Sequence, residues 1–310
     1  MNSQKQVFWD IFNSIDFESI KDHPNILIAA NFWETERYDA AKTCYRYMRA
    51  IDDLIDNYKA ANRTIPNGEK KVFVGDVYNW LNLIKGPEKP GLLNTDLNMT
   101  IEKFRIPAWP LEAFAKSMIY DINNDGFPTL ESFLDYAQGA SVAPASIFVH
   151  LSGLIKKDGT YYDPLFDVKE AATPCAIFSY LVHIIRDFQK DQLNNLNYFA
   201  DDLILKNGLT REKLKSIAHS GEVQGGFREL IREYLSLADH YRHKTFEVIS
   251  NICPLVEPRY RLSLEIIFER YIMVFERIDI ENGSFISSEL NPTPEETRKR
   301  VHETIMKFKS

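Results

Sequence analysis

Two acidic clusters stand out by their spacing. In YRYMRAIDDLID, Asp52 and Asp56 lie four residues apart, so on a helix their carboxylates stack on one face, with Arg49 one turn earlier. Unpaired like charges at this spacing repel by roughly a few tenths of a kcal/mol on an exposed helix. Hard oxygen ligands grouped in this way suit Mg²⁺, which usually takes one or two carboxylates and completes its shell with water and phosphate. In LVHIIRDFQKDQ, His183, Asp187 and Asp191 recur at every fourth position, with Arg186 and Lys190 alongside. The flanking Leu181, Val182, Ile184, Ile185 and Phe188 make the rest of that helix apolar. A polar stripe through so apolar a helix faces either solvent or an internal cavity. Taken singly, each motif also reads as a solvated acidic face, and Asp53 fits such a face on its own merits. Taken together, each with an arginine just ahead of its first aspartate, they point to one shared diphosphate site. Magnesium would bridge Asp52, Asp56, Asp187 and Asp191 to phosphate, while Arg49, Arg186 and Lys190 hold phosphate oxygens directly. Loss of diphosphate from an allylic carbon leaves a carbocation, so such a site also calls for a dry aromatic pocket.

The elements that position these residues read as helices. Glycine and proline are sparse and fall between long segments, near His23-Pro24, Pro66 to Gly68, Gly86 to Gly91, Pro107 to Pro110, Gly126 to Pro128, Lys157 to Pro164, Asn207-Gly208, Cys253-Pro254 and Asn282 to Pro294. Between them apolar residues recur at three and four, as in Leu262, Ile266, Ile267, Tyr271 and Val274. Thr293-Pro294-Glu295-Glu296 is a capping box with proline at the first helical position, which predicts a helix from Pro294 to about Lys307. No strand is convincing, and no repeat or linker divides the chain. The expectation is an all-α protein, one domain over residues 1–310.

Composition is that of a globular protein with a sizeable core, not a disordered one. The 310 residues are 45% hydrophobic and 13% aromatic. A formal charge of −7 argues against a general nucleic-acid binder. The widely spaced Cys44, Cys175 and Cys253 suggest a reducing compartment and neither a disulfide framework nor a zinc site. The sequence opens without the charged-then-apolar order of a signal peptide, and no apolar run is long enough to span a membrane. A soluble, cytoplasmic protein without an integral membrane segment is expected; oligomeric state is not legible.

At these motifs the chain resembles the squalene/phytoene synthase family, the head-to-head prenyl transferases. The family's Y-x-x-x-R-x-x-D-D-x-x-D is met in full by Tyr45, Arg49, Asp52, Asp53 and Asp56. Its N-x-x-R-D-x-x-x-D, followed by R-x-Y-(F/L)-P, is similar to His183 through Asp191 and then Tyr198-Phe199-Ala200. Tyr136, followed by the small residues Gly139 to Ser146 (Ser141 among them), resembles a tyrosine-led segment near the reacting carbons. Asp121 takes the place of a family acid, and Tyr271 that of a C-terminal pocket tyrosine. The resemblance spans residues 25 to 280. It implies a helical bundle of the type I isoprenoid synthase kind around a central cavity, in which Tyr45, Asp52, Asp56, Tyr136, Asp187 and Asp191 carry catalysis. Asp121, Ser141, His183 and Tyr271 would line the pocket. It also implies prenyl diphosphate substrates, Mg²⁺, and NADPH where the product is reduced to squalene.

Four departures accompany the match. His183 stands for the family asparagine, and imidazole suits magnesium less than an oxygen ligand does. Leu196-Asn197 replaces the arginine before Tyr198, no basic residue follows Asp121 closely, and residues 285–290 lack the late basic cluster. These losses bear on the second half-reaction and on substrate choice more than on the metal-dependent first step. A type I terpene synthase acting on one prenyl diphosphate, and a non-catalytic partner protein of the same shape, are the competing readings.

Overall fold

The computed structural model describes residues 3–19, 25–85 and 92–309, so the expected breaks at His23-Pro24 and Gly86 to Gly91 lie outside the described residues. Helices form where the three-and-four periodicity runs and stop where proline, glycine or a capping side chain interrupts it. The first eight are α1 (Ser3–Ser14), α2 (Asn25–Ala30), α3 (Thr35–Asn62), α4 (Asn67–Lys85), α5 (Leu92–Lys103), α6 (Trp109–Asn123), α7 (Leu130–Ala137) and α8 (Ala143–Gly153). Then come α9 (Val168–Arg186), α10 (Phe188–Leu193), α11 (Asp201–Lys206), α12 (Arg211–Ser220), α13 (Gly225–Ile252), α14 (Pro258–Phe275), α15 (Ser287–Leu290) and α16 (Pro294–Lys307). The protein is all-α, as expected. Helix α16 has the predicted bounds, and Thr293 and Glu296 close its capping box reciprocally. No helix of the described residues is long and apolar enough to cross a membrane.

The sequence reading missed one element. A two-stranded antiparallel hairpin, β1 (Ile155–Lys157) and β2 (Thr160–Tyr162), joins α8 to α9. Its turn is Asp158-Gly159, both with positive φ (50° and 78°), the backbone that a two-residue hairpin turn requires and that Asp-Gly favours. Three-residue strands are too short to show alternation, so only the turn dipeptide announced them. The hairpin is tied down by Tyr161 and Lys156, which both bond the Glu36 carboxylate on α3.

Helix α9 is the structural centre. It packs along α13 and is flanked by α8 and α14, which explains why it is apolar on nearly every side. Its start is fixed by Asp167, whose carboxylate accepts from the Glu170 amide at 2.8 Å. Phe178, Leu181, Val182 and Ile185 on α9 are fully buried. Opposite, α3 buries Cys44, Met48, Ile51 and Ile55. The space between these two helices is where the aspartates meet.

A π-helical turn, Gln138–Val142, links α7 to α8. Such turns hold an extra residue and are frequent at functional sites. Within it Gly139 lies against α6: a Cβ there would sit 2.1 Å from the Ala113 carbonyl oxygen and 2.2 Å from Ser117 Oγ. Ser117 Oγ in turn donates to the Tyr136 carbonyl at 2.8 Å. The small residue thus serves helix approach. Gly139→Ala is expected to destabilise the protein by about 1–3 kcal/mol through overpacking against backbone. Denaturant titration checks this, and an unchanged midpoint would refute the close approach.

Candidate active site

A cavity of about 450 Å³ opens between α3, α9, the π-helical turn and the α13–α14 pair. From α3, Tyr45, Met48, Arg49, Asp52 and Asp56 line it, one face of a single helix. From the α9–α10 side come Tyr180, His183, Asp187, Lys190 and Asp191. The two aspartate pairs therefore face one space. Asp53 points away from it, half exposed, and pairs with Arg49.

The second pair does not sit on one unbroken helix. Helix α9 ends at Asp187 (φ −93°, ψ 5°), and α10 begins at the next residue. The winding survives the break, because the Asp187 amide still donates to His183 O (2.9 Å) and the Asp191 amide to Asp187 O (2.8 Å). The four-residue stripe is kept and merely bent. The bend places Asp187 beneath two donors. Arg186 holds both its oxygens, at 2.7 and 2.9 Å, and His183 Nε2 lies 2.7 Å from Oδ2.

These contacts divide the four carboxylates electrostatically. Burial alone would raise Asp187, but hydrogen bonds from Arg186 and the neighbouring His183 outweigh it and hold the carboxyl well below the usual range. Asp191 has no such partner. Burial and the charge of Asp187 push it up to about 7. Asp52 and Asp56 are likewise raised, first by burial. Asp121 then adds to both, and Asp52 to Asp56, while Arg49 opposes the rise. Carboxylates crowded in this way gain from a divalent cation, which favours their ionised forms.

The donor set fits magnesium rather than a softer metal. It consists of carboxylate oxygens, and among the described residues no three His, Cys, Asp or Glu side chains converge to hold an ion unaided. An ion bound here would be shared between one or two aspartates and phosphate oxygens, the arrangement that Mg²⁺ commonly adopts.

Of the remaining expected residues, Tyr136, Ser141 and Tyr271 all line the cavity. Ser141 Oγ donates to the Ala176 carbonyl at 2.9 Å, so its hydroxyl is already engaged. Arg186 is placed behind the wall on Asp187, whereas the exposed Lys190 stands at the cavity lining. Asp121 corrects the reading. It is not a lining residue but lies behind the first pair, where Lys59 Nζ bonds its Oδ1 at 2.6 Å and the Asn124 carbonyl at 2.9 Å. The cation that sequence reasoning sought just after Asp121 thus comes from α3, two turns beyond Asp52. Tyr180 and Tyr198, also at the lining, were not among the expected site residues. Tyr180 had a signal, since it lies one turn before His183 on the same stripe.

Away from the aspartates the walls are apolar, with Phe114, Phe148, Leu151, Ile249, Ile252 and Leu264 among them. Tyr136, Tyr180 and Tyr198 remain neutral phenols, their pKa values raised well above 10 chiefly by burial.

The sequence matches the squalene/phytoene synthase family over residues 21–296. Among curated proteins a search finds no match. In structure the chain is similar to a dehydrosqualene synthase solved in complex with ligand, at a TM-score of 0.64 and 16% identity, covering 97% of this chain and 100% of that one. It is also similar to the squalene synthase HpnC from Alicyclobacillus acidocaldarius, at 0.65 and 14%, covering 88% and 92%. YisP from Bacillus subtilis aligns at 0.62 and 12%, covering 97% and 99%. At these identities the structures speak for the fold, which is that of the all-α isoprenoid synthases. The family match takes in both aspartate motifs, and the chain belongs to the squalene/phytoene synthase family.

Proposed function

We propose that this protein joins two prenyl diphosphates head to head in a magnesium-dependent reaction. One observation carries the reading: two aspartate pairs, from α3 and from the α9–α10 junction, face one cavity whose other walls are apolar and tyrosine-rich. Asp52, Asp56, Asp187 and Asp191 would hold Mg²⁺, which when bound neutralises the charge growing on a departing diphosphate. Arg49 and Lys190 at the lining supply direct contacts to phosphate oxygens, and Arg186 keeps Asp187 ionised. The C–O bond of one substrate breaks and its electron pair leaves with diphosphate. The double bond of the second substrate then attacks the allylic cation, and loss of a proton closes a cyclopropylcarbinyl diphosphate. Apolar walls and neutral phenols keep water from the cation and offer it ring faces.

The test is to incubate purified protein with Mg²⁺ and farnesyl or geranylgeranyl diphosphate, with and without NADPH, and identify products by mass spectrometry. A C30 or C40 product supports condensation. A C15 or C20 product replaces it with single-substrate terpene synthase chemistry, and no diphosphate release from any C10 to C20 substrate favours a non-catalytic partner protein.

A binding experiment checks the clamp separately. Because no three protein donors converge among the described residues, Mg²⁺ or inorganic diphosphate alone should shift the melting temperature little. Both together, at about a hundredfold over their dissociation constant, should raise it by roughly 5 °C. An equal shift from magnesium alone would contradict a shared ion.

A further inference from the structure

The two aspartate pairs sit on separate helices, and the span between those helices decides whether the same phosphate oxygens can be reached from both. One side chain ties the helices together. Helix α10 is capped by Asn194, and Asn195 follows with φ 59°, the left-handed backbone that asparagine tolerates. The chain closes there in a Schellman motif. The Leu196 amide donates back to the Asp191 carbonyl at 2.8 Å, and the Asn195 amide to the Gln192 carbonyl at 3.2 Å. Asp191 therefore belongs to the turn that Asn195 ends.

The Asn195 side chain leaves this turn and crosses to the other aspartate helix. Its Nδ2 donates to the Ala60 carbonyl on α3 at 3.2 Å. Ala60 lies in the last turn of α3, where carbonyls lack a partner within the helix. Asn195 Oδ1 accepts from Lys215 Nζ on α12 at 2.5 Å, a charge-assisted bond that fixes which way the amide faces. Ala60 follows Asp56 by four residues, and Asn195 follows Asp191 by four. The bridge thus stands one helical turn beyond one carboxylate of each pair, and Asp191 is near enough for its charge to bear on Asp56. The segment after the bridge is held as well. Gln192 Nε2 bonds the Leu196 carbonyl at 3.3 Å and Asn197 Oδ1 at 3.1 Å, and Leu196 and Tyr198 line the cavity.

We propose that Asn195 is a positioning residue of the diphosphate site: its side-chain amide sets the separation of α3 and α10, and with it the span across which Asp56 and Asp191 act on one diphosphate. This rests on the metal-dependent diphosphate reading above. Asn195 acts through the two helices rather than on the reacting atoms.

Asn195→Gly separates the two duties of the residue. Glycine takes the left-handed backbone at least as readily, so the end of α10 is kept while the bridge to α3 is lost. Calorimetry of the full chain with inorganic diphosphate in excess Mg²⁺ reads the span without turnover. Asn195→Gly should bind about tenfold more weakly and need about tenfold more Mg²⁺ for half-maximal diphosphate release, with a melting temperature within about 5 °C of wild type. Lys215→Met, which frees the amide to turn, should weaken binding about threefold by itself and no further once Asn195→Gly is present. A residue that serves only to end α10 predicts wild-type binding in Asn195→Gly; that result overturns the inference and leaves the functional reading intact. Should Asn195→Gly fail to fold, Lys215→Met decides alone, and unchanged affinity in it overturns the inference. A wild-type protein that binds no diphosphate at any Mg²⁺ concentration overturns both.

Discussion

Asp187→Asn is expected to lower turnover by about two to three orders of magnitude, with a circular dichroism spectrum close to wild type. Asparagine has the shape of aspartate, so the bend between α9 and α10 survives. What it loses is the charge. Asp187 is the one carboxylate of the four held below the usual carboxylate range, by Arg186 at 2.7 and 2.9 Å and His183 at 2.7 Å. An amide there leaves Arg186 without its counter-ion and removes one hard donor from the proposed metal site. A loss of about 3–4 kcal/mol of transition-state stabilisation corresponds to that rate change. Asp52→Asn should fall by a similar factor for a simpler reason: Arg49 retains Asp53 as a partner, so the main loss is a ligand of the proposed metal site. Steady-state release of diphosphate decides the matter. Rates within threefold of wild type in both variants would end the clamp as an explanation.

Lys59→Met is expected to destabilise the fold by about 3–5 kcal/mol, a large fraction of the stability of most proteins. Lys59 is only 4% exposed and bonds both Asp121 and the Asn124 carbonyl. Removing it leaves a buried carboxylate unpaired while Asp52 and Asp56, which already feel its charge, lie close by. Adding Asp121→Asn to Lys59→Met should recover most of the loss, since no uncompensated charge remains. Urea titration of the two single variants and the double variant forms the cycle. Additive losses would mean that Lys59 and Asp121 do not act as a pair.

How much of this the sequence disclosed depended on the range of the interaction. Residues 45, 49, 52 and 56 share a face because a helix repeats every 3.6 residues, and α3 carries no break to disturb that. Helix α16 was legible from its box alone, because a cap is a contact between residues three apart. The bend at Asp187 was not legible. The contacts on that carboxylate are local, from Arg186 one residue and His183 four residues before it, yet their spacing suits an unbroken helix equally well. Lys59 escaped for a different reason. The search for a cation near Asp121 ran along the chain, whereas the partner sits 62 positions away on a facing helix. Tyr180 lies one turn before His183 in the sequence, but that it lines the cavity shows only in the fold. The hairpin left only its Asp158-Gly159 turn as a trace.

The π-helical turn between α7 and α8 has a consequence for how such a protein changes over generations. A helix with one surplus residue can return to ordinary winding by losing a single codon. A π turn takes up one more residue than an α turn for about the same rotation, so a deletion within 138–142 would be absorbed at the turn and leave α8 in register with Tyr136. Pro144, Ala145, Ile147 and Phe148, which form part of the cavity wall, would keep their places. Chain length can thus vary by one residue here without redrawing the cavity.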